Sequence, residues 1–416
     1  SAVVSREILP REPMYLFNSA VTVTGPDRHR QDVLGWGLKE AFVQNTSGIK
    51  SGRDRALIAF TEPDLKANLA KMQTLSIPDS EICAHFDILA PENSRWSLAK
   101  AREVLAGQGV QDAIRPIHYR PLDRRYAYCD TVWVEHPRPL LQKSAQHRIP
   151  MLCFVDHVRG GSRWGHGTIS YVLPSGVFLS TEDTCLAAPA FIVNEDGTLR
   201  TNLNGDLISE FEALLGLPYM DTVAPEDEFK SAWSTLGLVY YICGVLHDPA
   251  YLASKDQELR TSVPRIPWPI SQDACRTYFE AGSRLSALYD IDSWANDPTL
   301  DENRLQTKVK ADACSADEPL LNRPTYEPGV GSEFFPDDPN SLRLTENIFL
   351  KNVPDHSWEV PIGTYAPAQQ WLKDRAGRVL SSADRLHYRR LLQVLAEIHD
   401  IKARLASSSP YAAGAV

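Results

Sequence analysis

Near Tyr126, and again near Asn204, the apolar pattern of this chain changes period, and that double switch limits the folds open to it. An apolar residue at every third or fourth position selects a helix; short β-branched and aromatic runs bounded by Pro and Gly select strands. Residues 1–125 carry both signals. Asp64 precedes Leu65-Lys66-Ala67-Asn68-Leu69-Ala70-Lys71-Met72, which predicts a short helix with an acidic start. Ser97 opens a second helix over 98–106, closed by Gly107. The runs 126–129, 131–134, 151–155, 168–173 and 191–193 predict strands joined by turns. Helical signals then return over 211–215, ending at Gly216, over 226–247 as a long buried helix, and over 271–289. The last helix, 382–405, aligns Leu391, Val394, Leu395, Ile398 and Leu405 in one stripe. Three prolines keep 264–269 extended. Polar, Pro-rich 296–340 predicts long loops around short elements, and 406–416 a frayed tail. The expected class is α+β. A β-rich central part, 126–205, is braced by an N-terminal α/β part, 1–125, and a mainly helical part, 206–416.

A length of 416 residues allows two or three domains with real cores. The apolar stretch 236–246 is shorter than the roughly 18 residues that span a bilayer, and reads as a buried helix. The start, Ser1-Ala2-Val3-Val4-Ser5-Arg6, lacks a basic flank leading into an apolar signal core, and it lacks an initiator Met. The expectation is a processed chain or a piece of a longer protein. Seven cysteines are scattered with no C-x-x-C pair, which fits small buried thiols in a reducing compartment, a cytoplasmic location and no structural metal.

Against a formal net charge of −10, residues 115–165 hold nine Arg and Lys and only four acids, a local excess of five positive charges. A basic stripe on an acidic protein suits a polyanion; the alternative is a solvated face paired with acids elsewhere.

Motifs for covalent chemistry are missing. The chain contains no Pro-Pro pair, so the Asn/Asp/Ser-Pro-Pro-aromatic loop of amino-methylating enzymes is absent. Gly165-His166-Gly167 is followed by Ser170 where a cofactor-binding turn needs a third Gly, and Gly48 to Gly52 leads into Arg53 where a phosphate loop needs Lys. Gly160-Gly161-Ser162-Arg163-Trp164 departs from a nucleophile elbow at Trp164. Asp221 with Glu228-Phe229-Lys230 imitates a Mg²⁺-dependent nuclease, although Glu226-Asp227-Glu228 also suits the acidic first turn of a helix. His118, His136, His147 and His157 form no i, i+4 pair.

Two segments have the ingredients of a nucleic-acid contact. In 157–166, Arg159 and Arg163 can pair with guanine edges, while Ser162 and Trp164 can add hydrogen bonding and stacking. In 45–54, Ser47 and its small neighbours bare backbone N–H groups beside Lys50 and Arg53, which suit phosphate. Arg120, Arg124, Arg125 and Arg138 extend the stripe, and Lys373 and Arg375 form a further basic pair.

An ordered set of strings then becomes decisive. It comprises Glu12-Pro13-Met14-Tyr15-Leu16-Phe17, Ser47-Gly48-Ile49 with Arg53-Asp54, Tyr119-Arg120-Pro121-Leu122-Asp123-Arg124-Arg125 and Pro137-Arg138-Pro139. It continues with Tyr241-Ile242-Cys243-Gly244-Val245-Leu246-His247-Asp248-Pro249-Ala250-Tyr251, Pro264-Arg265-Ile266-Pro267-Trp268-Pro269, Ile362-Gly363-Thr364-Tyr365 and Trp371-Leu372-Lys373-Asp374-Arg375-Ala376-Gly377-Arg378. Over about 390 residues the chain resembles the C-terminal target-recognition (specificity) region of the Type ISP restriction–modification enzymes, or helicase–adenine methyltransferase proteins. Leu122 stands where the family usually has Phe, and Ala366-Pro367-Ala368 interrupts the stretch after the Gly-Tyr turn. The resemblance implies sequence-specific binding of double-stranded DNA for an adjoining adenine methyltransferase domain. S-adenosylmethionine would be bound there, with no cofactor and no catalysis in this chain. Its alternatives are a scaffold that docks the methyltransferase without reading DNA, and the Mg²⁺-dependent nuclease.

Overall fold

The computed structural model describes residues 35–89, 96–159, 163–300, 305–309, 319–321, 324–328 and 340–411. The class is α+β, as the sequence predicts. Close to the first described residue, β1 (Trp36–Gly37) pairs antiparallel with β12 (Arg265–Ile266). The proline-rich connector is therefore extended, and it supplies the partner strand of the segment that opens the fold.

Two four-stranded sheets position the site. One runs in the order β2 (Thr46–Ser47), β9 (Leu186–Pro189), β6 (Met151–Phe154), β7 (Gly167–Ser170), antiparallel throughout. All four residues of β6 are buried, which explains why that strand reads as a continuous apolar run without alternation. The other runs in the order β3 (Ile58–Ala59), β5 (Asp123–Tyr128), β4 (Ile114–Arg120), β8 (Leu173–Pro174). Its centre is the β4–β5 hairpin, with Leu122 in the turn at φ 59° and a bulge between His118 and Arg120. A smaller hairpin joins β10 (Phe191–Val193) to β11 (Leu199–Thr201).

Helices Thr235–Val245 and Gln272–Tyr289 pack together and reach β7. Their backbones nearly touch: a Cβ on Gly282 would lie 1.8 Å from the Tyr240 carbonyl oxygen, and one on Gly244 would lie 2.1 Å from that of Tyr278. Only glycine allows that approach. Ser97 caps a helix as expected, Ser271 caps Gln272–Tyr289, Gly216 ends a helix at φ 65°, and the stripe of the last helix is wholly buried. No helix among the described residues is long and apolar enough to cross a membrane.

Three local expectations fail for identifiable reasons. Residues 131–134 form a turn, because the Asp130 carbonyl accepts from the N–H groups of Trp133 and Val134 while its side chain takes that of Val132. The helix expected from 226 starts only at Thr235, capped by Ser234; Phe229, at φ 57°, breaks any earlier turn. Within 296–340 the short elements expected among the loops are β13 (Gln306–Val309) and β14 (Thr325–Pro328), which join β15 (Asn340–Arg343) and β16 (Ile348–Lys351) in a sheet in the order β13-β16-β15-β14. The expected fray after 405 is also absent through Tyr411: the helix reaches Ser408, Ser409 donates to the buried Asp248 carboxylate, and Tyr411 packs on Tyr251.

Candidate nucleic-acid interface

The arginines of the β4–β5 hairpin point to different parts of the chain. Asp123 has a side chain only 3% exposed, and a buried carboxylate must be paired. Arg125 binds it at 2.7 Å and Arg375 at 2.8 Å, and Arg125 also reaches Asp374. Burial pushes the Asp123 carboxyl up, but the Arg375 and Arg125 guanidiniums outweigh it and hold it below the ordinary aspartate range. The Arg125 and Arg375 guanidiniums each lie 4.4 Å from the Phe60 ring centroid. Arg124 shares Asp292 with Arg148, which also binds Asp290 at 2.7 Å. Arg120 donates to the Val177 carbonyl at 2.9 Å.

Further along the stripe, Arg138 donates to the Ser47 hydroxyl, and Lys143 to the carbonyls of Val193 and Asn194. Arg53 donates to the Trp133 carbonyl at 2.8 Å and lies 3.4 Å from the centroid of the Trp96 ring. The basic stripe is thus no single face; most of its charge is used inside the molecule. Lys50 is exposed beside Glu135, and Lys373 is exposed on helix Pro367–Asp374. Arg159 and Arg163 remain open, the Arg159 side chain being 68% exposed.

Trp164 requires a correction. It is 3% exposed, donates its indole N–H to the Val155 carbonyl and meets His166 edge-on, so its ring has no free face on which a base could stack. Ser162, with Gly160 and Gly161, lies outside the described residues, as do 12–17.

A cleft of about 570 Å³ lies between the loop 47–52, Arg138, the wall 175–177 and the turn 181–184. Backbone bonds fix its frame: Gly48 donates to Cys185, Ile49 to Pro174, Gly176 to Ile49 and His136 to Lys50, at 2.8–3.1 Å. Asp183 ties one of the two loops singled out by sequence, 157–166, to the cleft that the other lines. This buried residue lines the cleft, accepts the Arg159 backbone N–H at 3.2 Å and takes the Ser180 hydroxyl at 3.1 Å. Beside it, burial pushes the His166 imidazole down to about 4, so it is neutral at pH 7. Sequence reading missed the turn 181–184. Its signal is the string Ser180-Thr181-Glu182-Asp183-Thr184, in which the Ser180 hydroxyl oxygen accepts the N–H groups of Glu182 and Asp183, both at 3.1 Å.

The nuclease arrangement does not assemble. Glu228 is buried at the start of helix Thr235–Val245, where Ser234 donates both its hydroxyl and its N–H, while Asp221 accepts from Tyr219. Among the described residues no three His, Cys, Asp or Glu side chains converge on a cation position. His118 is buried on β4, bonded to the Ser170 hydroxyl and stacked on Phe178.

The family model described as Type ISP C-terminal specificity domain matches residues 40–403. No curated protein matches. Three solved structures share the fold. The cryoEM structure of a DrdV–DNA complex has a TM-score of 0.62 and 15% identity, over 90% of this chain and 37% of that one. The ATP-dependent Type ISP restriction–modification enzyme LlaBIII bound to DNA has a TM-score of 0.62 and 16% identity, over 97% of this chain and 25% of that one. A nuclease-deletion mutant of the Type ISP enzyme LlaGI, in complex with a DNA substrate mimic, has a TM-score of 0.57 and 16% identity, over 89% and 33%. This chain spans between a quarter and two-fifths of the length of each.

Proposed function

The chain belongs to the Type ISP C-terminal specificity domain family, and on that premise we propose that it reads a DNA sequence on behalf of a restriction–modification enzyme. The observation that carries the reading is a backbone-framed cleft whose lining residue Asp183 also holds the Arg159 backbone N–H, with the Arg159 and Arg163 side chains both exposed. Arg159 and Arg163 read base edges, for which a guanidinium is suited by its bidentate match to guanine. Lys50 and Arg138, which line the cleft, and the exposed Lys373 set register on phosphates. Arg120, Arg124, Arg125 and Arg375 act as braces.

A net charge of −10 opposes general attraction to DNA. Affinity therefore comes in large part from a domain held alongside, which raises the effective concentration of DNA at the cleft. An adenine methyltransferase that binds S-adenosylmethionine is the proposed neighbour, in the same or an associated polypeptide. Residues 1–125 dock it, 126–205 carry the reading arginines and 206–416 brace them.

Selection from a randomised duplex pool by the intact protein tests this. The parent enriches one asymmetric sequence; Arg159→Ala and Arg163→Ala each relax it at separate positions, costing about 1–3 kcal/mol per lost base contact. A parent that enriches no sequence refutes the reading in favour of a docking scaffold.

A further inference from the structure

A turn near the C-terminal end of the chain bonds to the frame of the cleft. Ile362 and Tyr365 exchange backbone hydrogen bonds at 3.0 and 3.2 Å, closing a turn in which Gly363 adopts φ 61°. The Gly363 N–H donates to the Gly165 carbonyl at 2.9 Å, beside Arg163 and buried Trp164. The next N–H, that of Thr364, donates to the Leu179 carbonyl at 2.9 Å. A Cβ on Gly363 would stand 2.0 Å from that same oxygen, so steric room and backbone angle both require glycine. The Tyr365 hydroxyl then donates to the Val177 carbonyl at 2.9 Å, the oxygen that also accepts from Arg120. The Arg120 guanidinium lies 4.6 and 4.8 Å from the ring centroids of Tyr119 and Tyr365.

Three consecutive residues thus hold two separate segments, the stem that carries Arg163 and the wall 175–179. We propose that Gly363, Thr364 and Tyr365 are positioning residues for DNA reading: a latch that sets the spacing of the reading arginines from the cleft wall. The proposal rests on the reading function above. Discrimination between bases needs groups held to a fraction of an ångström, whereas phosphate attraction tolerates looser placement. None of the three residues is charged, and Tyr365 is buried. Loosening the latch therefore lowers the preference between sequences and leaves general attraction to DNA as it was.

The test uses the intact protein, the duplex enriched by the parent and a shuffled duplex of the same composition, titrated over a salt series. Tyr365→Phe removes one hydroxyl and keeps the ring. Its preference for the enriched duplex falls about 2- to 10-fold, the value of one hydrogen bond, while shuffled-duplex affinity and the salt slope stay at parental values. Gly363→Ala, with its steric conflict, lowers the preference further. Because that variant can also fail to fold, Tyr365→Phe decides, with its melting curve recorded alongside. Unchanged preference, or equal weakening of both duplexes, overturns the latch and leaves the reading function standing. A parent without preference removes the reading function and the latch together.

Discussion

The hairpin around 119–126 and the loop around 158–166 are both rich in arginine, yet the fold uses them in opposite ways. In the hairpin, Arg124 and Arg125 are neutralised by Asp292, Asp123 and Asp374, and Arg120 is tied to a carbonyl. At the loop, the Arg159 guanidinium keeps a long 3.8 Å contact with Asp183, and Arg163 is exposed. The contrast shows that charge density along a sequence does not locate a polyanion site. What is left to attract a polyanion is the charge that remains once distant carboxylates have found their partners.

Breaking the brace has the largest expected effect. Asp123→Ala leaves Arg125 and Arg375 buried without their shared carboxylate, at a cost of about 3–5 kcal/mol in chemical denaturation. Arg163→Ala leaves stability within about 0.5 kcal/mol, because that side chain is exposed. Equal losses for the two variants would erase the distinction between brace and reader.

Acid probes the same division. Burial lowers His118 to about 3, and burial followed by the Arg375 charge lowers His387 to about 4. Groups depressed in the folded state contribute fully above the ordinary imidazole value of about 6.5, and that stability is lost as pH falls toward 3–4. Each histidine costs on the order of 1 kcal/mol per pH unit in that window. The Asp123 carboxyl, also held low, adds its loss only below about pH 4. Urea midpoints recorded against pH check this; a His118→Gln variant flattens the curve between pH 6.5 and 4.

Two smaller effects sharpen the comparison. Arg124→Ala barely changes the salt slope of DNA binding, since Asp292 already holds that charge, whereas Arg138→Ala, at a cleft residue whose partner Ser47 is neutral, flattens it by about one unit. Glu182→Gln on the cleft rim raises affinity for all sequences alike by about 2-fold, as expected for one exposed charge. Filter binding over a salt series measures both.

Much of the architecture was legible before any coordinates, because its causes are local. The Ser97 cap, the Gly216 stop, the extended prolines at 264–269 and the stripe from Leu391 to Leu405 depend on neighbours within a turn or two of chain. The strings that carry the family resemblance were legible for the same reason. Three features were not. The turn at 130–134 was masked by β-branched residues, although one aspartate overrides their preference. The strands at 306–309 and 325–328 lie in polar, Pro-rich sequence that gives no clear alternation. Trp164 stands in a Gly- and Arg-rich string that suits a contact residue, yet it is buried.

Sequence alone determined the α+β class, through residue type and short spacing, and the family, through the ordered strings that carry the resemblance. Tertiary structure decided which arginines are free. Asp374 lies 249 residues from Arg125, Asp292 lies 168 from Arg124, and Tyr365 reaches Val177 across 188. Pairing over such separations is set by how sheets and helices stack, and no pattern along the chain reports it.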